Sequence, residues 1–447
     1  MDLPLPVNAR AAGLEAKNGN VLGIRIPLHG RRVALLGGTT SFRDCLAAAG
    51  FLLRPRGIVQ GIYIRQYESA FADYIGVRHG CSFSTGRVAL FAILQALGIG
   101  TGDEVIIQVP SHIVVANAIR YTGAQPVFAD SSRRTCNVDL AALERAITNR
   151  TRAIVLQHTF GLPADLDAAL RLGRDRGIDV IEDCVHALGS SYRGARVGSF
   201  GRASFFSTEE TKTISTTMGG MAVTDDDGLA QRMHSFQQQC ARPPTWLTVR
   251  YLTKLISYHL LTEPHLHRYA RALYESLGKR NPLPGPMTEH EAHGARPPRY
   301  EFRLSNAQAM LGLRQLRRLD ANLAHREQIA AAFMSRLRQL GFEMPSPAPE
   351  ASPAYVRVPV YVNDRQAAVT AVAPHAVLGT WFTTVLEEAA DPRAGGYVAG
   401  SCPTAEALAE RLVNLPTHQR VSLRDVSAIV RALSLARAVH PPGDRGA

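Results

Sequence analysis

From about Gly57 onward, short apolar runs alternate with helical patterns, and this alternation limits the available folds more than any single residue does. "RQYESAFADYIGV" has helical spacing, and "HGCSFSTG" leads into "RVALFAILQALGIG", an apolar-rich helix closed by glycine. "GDEVIIQV", "AQPVFAD", "TRAIVLQHT" and "IDVIEDC" read as extended segments. Between them, "SHIVVANAIRYTG", "LAALERAITN" and "ADLDAALRLGRDRG" read as helices. Buried strands alternating with amphipathic helices predict an α/β domain whose mostly parallel sheet is flanked by helices on both faces. Ligands on such sheets bind beyond the carboxyl ends of the strands. Asp183 stands at such an end, as the last residue of "IDVIED".

The alternation breaks between about residues 235 and 299. This insertion opens on a Pro-Pro loop, holds one or two helices and ends in a Pro/Gly/His-rich linker. A long helical stretch follows, "SNAQAMLGLRQLRRLDANLAHREQIAAAFMSRLRQLG". Strand-like "AYVRVPVYV" and helix-like "CPTAEALAERLVN" and "LRDVSAIVRALSLARA" then suggest a smaller C-terminal α/β domain. The expected organisation is an N-terminal extension over 1–56, a large domain over 57–325 carrying the insertion, and a small domain over 326–447.

Composition narrows the function classes. The formal charge of +12 favours anionic partners, yet no basic run is interleaved with aromatics, so nucleic-acid binding is not expected. The six cysteines are scattered without a CxxC pair, which predicts free thiols in a reducing compartment and no metal framework. The N-terminus lacks the apolar core of a signal peptide, and no stretch of about 20 apolar residues occurs. No membrane span and a cytoplasmic location are the expectations. The segment 246–261, "WLTVRYLTKLISYHLL", mixes apolar residues with Arg250 and Lys254. It reads as a flap packed on its own protein, as a lid, or as an interfacial helix making peripheral membrane contact.

Three local features point to one chemistry. Lys212 lies in "STEETKTISTTMGG" among hydroxyls, acids and glycines. Asp183 ends a buried strand, where an acid serves as a helix cap, a structural ion-pair partner or the partner of a ligand's ring nitrogen. Ser84, Thr85 and Gly86 open a helix whose first amides either take an ordinary cap or hold a phosphate. A lysine, a strand-end acid and an anion-binding helix start are together what a pyridoxal-phosphate enzyme needs.

Six segments in order carry a resemblance. They are "LGIGTGDEVII", "NAIRYTGAQPVFAD", "FGLPADLDA", "VIEDCVHALGSSYRGARVGSFGRASFFSTEETK", "RLSNAQAMLGLRQLRRLD" and "CPTAEALAERLVNLPTH". From about Gly57 to the end, apart from the insertion, the chain resembles the DegT/StrS-type sugar aminotransferases, a branch of the fold-type I pyridoxal-phosphate enzymes. The resemblance implies pyridoxal 5'-phosphate as cofactor and Lys212 as the Schiff-base lysine and proton shuttle. It implies that Asp183 pairs with the pyridine nitrogen and that Ser207 binds the phosphate. Gly86 and Arg87 fall where the family's Gly-Thr offers backbone amides to that phosphate. His186 falls where the family has a glutamine contacting the ring oxygen. His112 falls where a phenylalanine or tryptophan stacks on the ring, and a core or loop histidine is the other reading.

The implied activity moves an amino group from glutamate or glutamine to a keto sugar, nucleotide-activated, in a homodimer. Two other readings stand beside it. One is a sugar dehydratase of the same fold, against which Lys212 argues because relatives of that kind carry histidine there. The other is a cofactor-binding regulator or scaffold without turnover. Two departures from the family pattern concern substrate recognition. Thr208-Glu209-Glu210-Thr211 replaces an aromatic and a proline, and Glu301 replaces an asparagine that reaches the partner subunit's phosphate. An acid there repels phosphate, so that role does not transfer, and Arg303 remains a candidate cross-subunit contact.

Overall fold

The computed structural model describes residues 18–21, 24–27, 30–35, 38–270 and 287–439. Its centre is a seven-stranded sheet. The strands are β1 His79–Phe83, β2 Glu104–Gln108, β3 Gln125–Ala129, β4 Thr151–Gln157, β5 Asp179–Asp183, β6 Ala203–Ser207 and β7 Gly220–Thr224, in the spatial order β1-β7-β6-β5-β4-β2-β3. β7 runs antiparallel to both neighbours, and every other adjacent pair is parallel. Both faces are buried. Ile106 and Ile154 join one core with Phe71 and Phe206, whereas Val105, Ile107, Ala153 and Val155 join the other with Leu90 and Ile93. A strand covered on both faces has no solvent side, so its sequence is a continuous apolar run.

One end of this sheet gathers the loops of interest. Asp183 is in register with Gln157 of β4 and Phe205 of β6. Gly220, at the start of β7, pairs with Ser207 and with Phe83. A Cβ on Gly220 would lie 2.1 Å from the carbonyl oxygen of Thr85, so only glycine lets the Thr85–Gly86 turn pass this close.

The C-terminal layer is smaller. Strands Arg357–Tyr361 and Leu412–Pro416 pair antiparallel, and helices Leu319–Gln339, Arg365–Val372 and Leu423–Val439 contribute to the core around them. The sequence predicts helix throughout "CPTAEALAERLVN", but the helix Pro403–Arg411 stops at Arg411 and every residue of Leu412–Pro416 is buried in the strand pair. The predicted long helical stretch is likewise two helices, Asn306–Leu316 and Leu319–Gln339. Arg318, between them, pairs with the buried Asp44.

The N-terminal segment is woven into both layers. Val33 bridges to Ala376, and Arg31 ion-pairs with Asp425 at 3.2 Å. Helix Phe42–Leu53 packs on the insertion helix Thr245–Leu261 and on helix Asn306–Leu316. Leu252 and Leu255 of the insertion helix are buried with Cys45, Ala48, Ile58 and Met310. That face packs on its own chain, while Trp246 stays 63 % exposed. Among the described residues no helix is long and apolar enough to cross a membrane.

Candidate active site at the carboxyl end of the sheet

Lys212 lies in the loop joining β6 to β7, only 8 % exposed. Its Nζ sits 4.2 Å from the centroid of the Trp381 ring. Burial pushes its ammonium down to about 8, helped by Arg357 and opposed by Glu209 and Asp183. Asp183 is 1 % exposed, and its Oδ1 accepts the Val185 N–H at 3.1 Å. Burial raises its carboxyl to about 6, against the pull of that N–H, His158 and Lys212. Each group sits in the other's electrostatic field.

His186 occupies the turn after β5. Its ring stacks on Trp381 at 4.6 Å and 15°, and on Phe160 at 6.0 Å and 12°. Burial, with the nearby charges of Lys212 and Arg357, holds the imidazole well below its ordinary range, so it is neutral. Nδ1 accepts the Phe160 N–H at 3.4 Å, which assigns the proton to Nε2 and makes that nitrogen a donor.

The helix start and Ser207 meet at one corner. Thr85 caps helix Gly86–Ala96 by accepting from Val88 N–H at 3.3 Å. A Cβ on Gly86 would lie 3.2 Å from Ser207 Cβ, so the first-turn amides and the serine hydroxyl border the same space. The Arg87 side chain turns to Glu291, Nε to Oε1 at 2.8 Å, leaving the backbone of Arg87 as its contribution to this corner. His112 commits both ring nitrogens: Nδ1 accepts from Val114 N–H at 3.3 Å, and Nε2 lies 3.3 Å from Glu388 Oε2. Its flat faces are what it can offer a ligand ring. Glu301 ion-pairs with Arg296, and Arg303 Nε donates to Cys240 O at 3.1 Å. Both are engaged within their own chain.

The sequence reading missed Trp381, Arg357 and Glu388. They come from the C-terminal layer, through the parallel pairing of Ser111–His112 with Leu386–Glu387 and through strand Arg357–Tyr361. An arginine inside the apolar run "YVRVPVYV" was the one available signal. His158, Glu182 and Cys184 also cluster beneath Asp183. Glu182 is committed to structure, accepting the N–H groups of Gly198, Phe200 and Gly201 and contacting His158 Nε2 at 3.1 Å.

The insertion helix reaches this loop. Lys254 Nζ lies 2.8 Å from Glu210 Oε1, with both side chains under 10 % exposed. Burial and Glu209 raise the Glu210 carboxyl to about 7. Removing one partner of a buried pair strands the other charge. Lys254→Met should therefore cost about 3 kcal/mol at pH 8.5. The cost should shrink towards pH 5, where Glu210 holds a proton and needs no counter-charge. Thermal unfolding at the two pH values checks this, and an equal loss at both would refute it.

The profile of the DegT/DnrJ/EryC1/StrS aminotransferase family matches residues 45–434. The chain belongs to this family. It is 35 % identical over 287 residues to GDP-perosamine synthase of Caulobacter vibrioides, a match covering 64 % of this chain and 65 % of that one. It is 31 % identical over 383 residues to the spore coat polysaccharide biosynthesis protein SpsC of Bacillus subtilis, covering 84 % and 89 %. The solved structure of S. venezuelae DesV superposes with a TM-score of 0.68 at 26 % identity, covering 88 % of this chain and 94 % of that one. The resemblance and the fold-type I α/β architecture are borne out. The family's enzymes depend on pyridoxal 5'-phosphate. The residues here fit that group: a buried lysine, a buried carboxylate without an ion-pair partner within 4 Å among the described residues, and a helix start beside a hydroxyl.

Proposed function

We propose that this protein is a pyridoxal-phosphate-dependent aminotransferase that moves an amino group from an amino acid, glutamate or glutamine, to a nucleotide-activated keto sugar. The observation that carries the reading is the convergence of Lys212, Asp183, His186, Ser207 and the Gly86 helix start at one end of the sheet. Bound pyridoxal phosphate supplies a carbonyl that holds the migrating nitrogen and a ring that takes up the electron pair left when a C–H bond breaks.

The chain's own residues do the rest. Lys212, with its amine near 8, exchanges a proton with the substrate carbon at neutral pH. Asp183 holds a proton on the ring nitrogen by offering a carboxylate at the end of β5. His186 donates its Nε2–H to the ring oxygen, and being neutral it adds no charge there. Ser207 and the amides of Gly86 and Arg87 bind the phosphate, favoured by the positive end of the helix. His112 presents a ring face, fixed by Val114 and Glu388. The working unit proposed is a cytoplasmic homodimer, as the family resemblance implies, and the six buried free cysteines suit a reducing compartment.

The test is direct. Holoenzyme should show a visible absorbance band that bleaches on adding L-glutamate and returns on adding an acceptor keto sugar. A band that glutamate and glutamine both leave unchanged would overturn the reading.

A further inference from the structure

The exposed apolar surface of this chain is concentrated in one region. Nine of the thirteen exposed large apolar residues among those described lie in 42–62 and 246–269, so the rest of the surface carries few. On helix Phe42–Leu53 they are Phe42, Leu46 and Leu53, the first 63 % and the last 83 % exposed. Their spacing puts them within about 40° of one another around the helix. The buried Asp44 and Ala48 lie on the opposite side. On the insertion helix Thr245–Leu261, Trp246, Arg250, Thr253, Leu260 and Leu261 are exposed and share an arc of about 100°. Thr248, Leu252 and Leu255 are buried opposite them. The two helices pack on each other, and both sink their buried sides against Ala307 and Met310 of helix Asn306–Leu316. Two helices resting side by side on a third present their outer stripes in one direction, as a single plate.

The charge on this plate has one sign. Arg43, Arg54, Arg56 and Arg250 are exposed, and none is in an ion pair among the described residues. The only acid in 42–62 is Asp44, buried and paired with Arg318, and 242–262 contains none. A contiguous apolar patch rimmed by charge marks an interaction surface. A second copy of the chain fits it poorly, because a two-fold contact sets the same patch against itself and would bring arginines to arginines with no carboxylate between them. The phosphates of a nucleic-acid duplex suit the arginines but leave no apolar depth for Leu46 and Leu53. An anionic bilayer surface meets both demands. Lipid phosphates take the guanidinium groups, the acyl boundary takes the apolar side chains, and tryptophan sits at the level between them. We infer that the outer face of these two helices docks the protein on an anionic phospholipid surface, as a peripheral contact. The formal charge of +12 adds long-range attraction to such a surface. Lys254 of the insertion helix pairs with Glu210, two residues before Lys212, so the helix that meets the lipid also touches the site loop. The docking is independent of what the site catalyses.

The experiment sediments full-length holoenzyme with vesicles of phosphatidylcholine alone, or of phosphatidylcholine with about 30 % phosphatidylglycerol. Wild type should co-sediment with the anionic vesicles only. Salt at about 0.5 M should release most of it, because the arginine attraction is screened. Trp246 is one of two tryptophans in the chain, and its emission should move to the blue as it leaves water. Leu46→Ser with Trp246→Ser, and separately Arg54→Gln with Arg250→Gln, should each lower partitioning about tenfold or more. All four residues are exposed, so both proteins should keep the wild-type melting temperature and cofactor band, and either pair decides the matter if the other fails to fold. Wild type that stays in solution with both kinds of vesicle overturns the inference, as does equal vesicle binding by the variants. A lower oligomeric mass in either variant, measured by light scattering, would assign the face to a second copy and overturn it too. So would binding to duplex DNA that the arginine pair loses and the Leu46/Trp246 pair keeps, with no vesicle binding.

Discussion

Replacing Lys212 by alanine should leave a folded protein that has lost turnover by about four orders of magnitude or more, because nucleophile and proton shuttle disappear together. The loss should fall on kcat. Lys212 is buried, faces Trp381 and carries an amine lowered to about 8 from 10.5, so about a tenth of it is unprotonated at neutral pH, against well under a hundredth for an ordinary lysine. Alanine removes that group without stranding a charge, since no ion pair within 4 Å is broken among the described residues. Cofactor binding should survive through the Ser207 and Gly86 corner and Asp183. Borohydride treatment followed by intact-mass measurement should show cofactor fixed covalently to wild type and not to the variant. A tethered or active Lys212→Ala protein would mean that another group does this work.

Asp183→Asn should lower kcat about a hundredfold or more, roughly 3 kcal/mol of barrier, because an amide does not hold a proton on the ring nitrogen. The same change should stabilise the cofactor-free protein. Burial raises the Asp183 carboxyl to about 6 from an ordinary 3.8, so between these values the folded state holds a proton that the unfolded state has released. Asp183 therefore costs stability as pH rises through about 6, and asparagine carries no such cost. Cofactor-free Asp183→Asn should be more stable than wild type by about 3 kcal/mol at pH 8, and equal to it below about pH 4. Denaturant unfolding at the two pH values, with kcat in parallel, checks both halves. Lower stability together with full activity would show a purely structural carboxylate.

The local signals read from the chain correspond to features with local causes. Four strands of the large sheet, β2 to β5, appear as apolar runs because the sheet is covered on both faces, and the helices Tyr63–Ile75 and Leu166–Arg176 have their own spacing and a closing glycine, Gly76 and Gly177. Lys212, Asp183, Gly86 and Ser207 were legible because each lies within a few residues of a strand end, and parallel strands bring their carboxyl ends together without further information. The strand Leu412–Pro416 was read as helix, since its pairing partner Arg357–Tyr361 is some fifty residues away and local propensity does not register a distant strand. The wall of the site facing the sheet was decided by tertiary packing alone. Trp381, Arg357 and Glu388 reach Lys212 and His112 from the C-terminal layer, and Lys254 reaches Glu210 from the insertion. No spacing rule links residues so far apart in the chain. The pKa values that make the site reactive follow from the same packing, because burial beside these particular charges, and not residue type, sets Lys212 near 8 and Asp183 near 6.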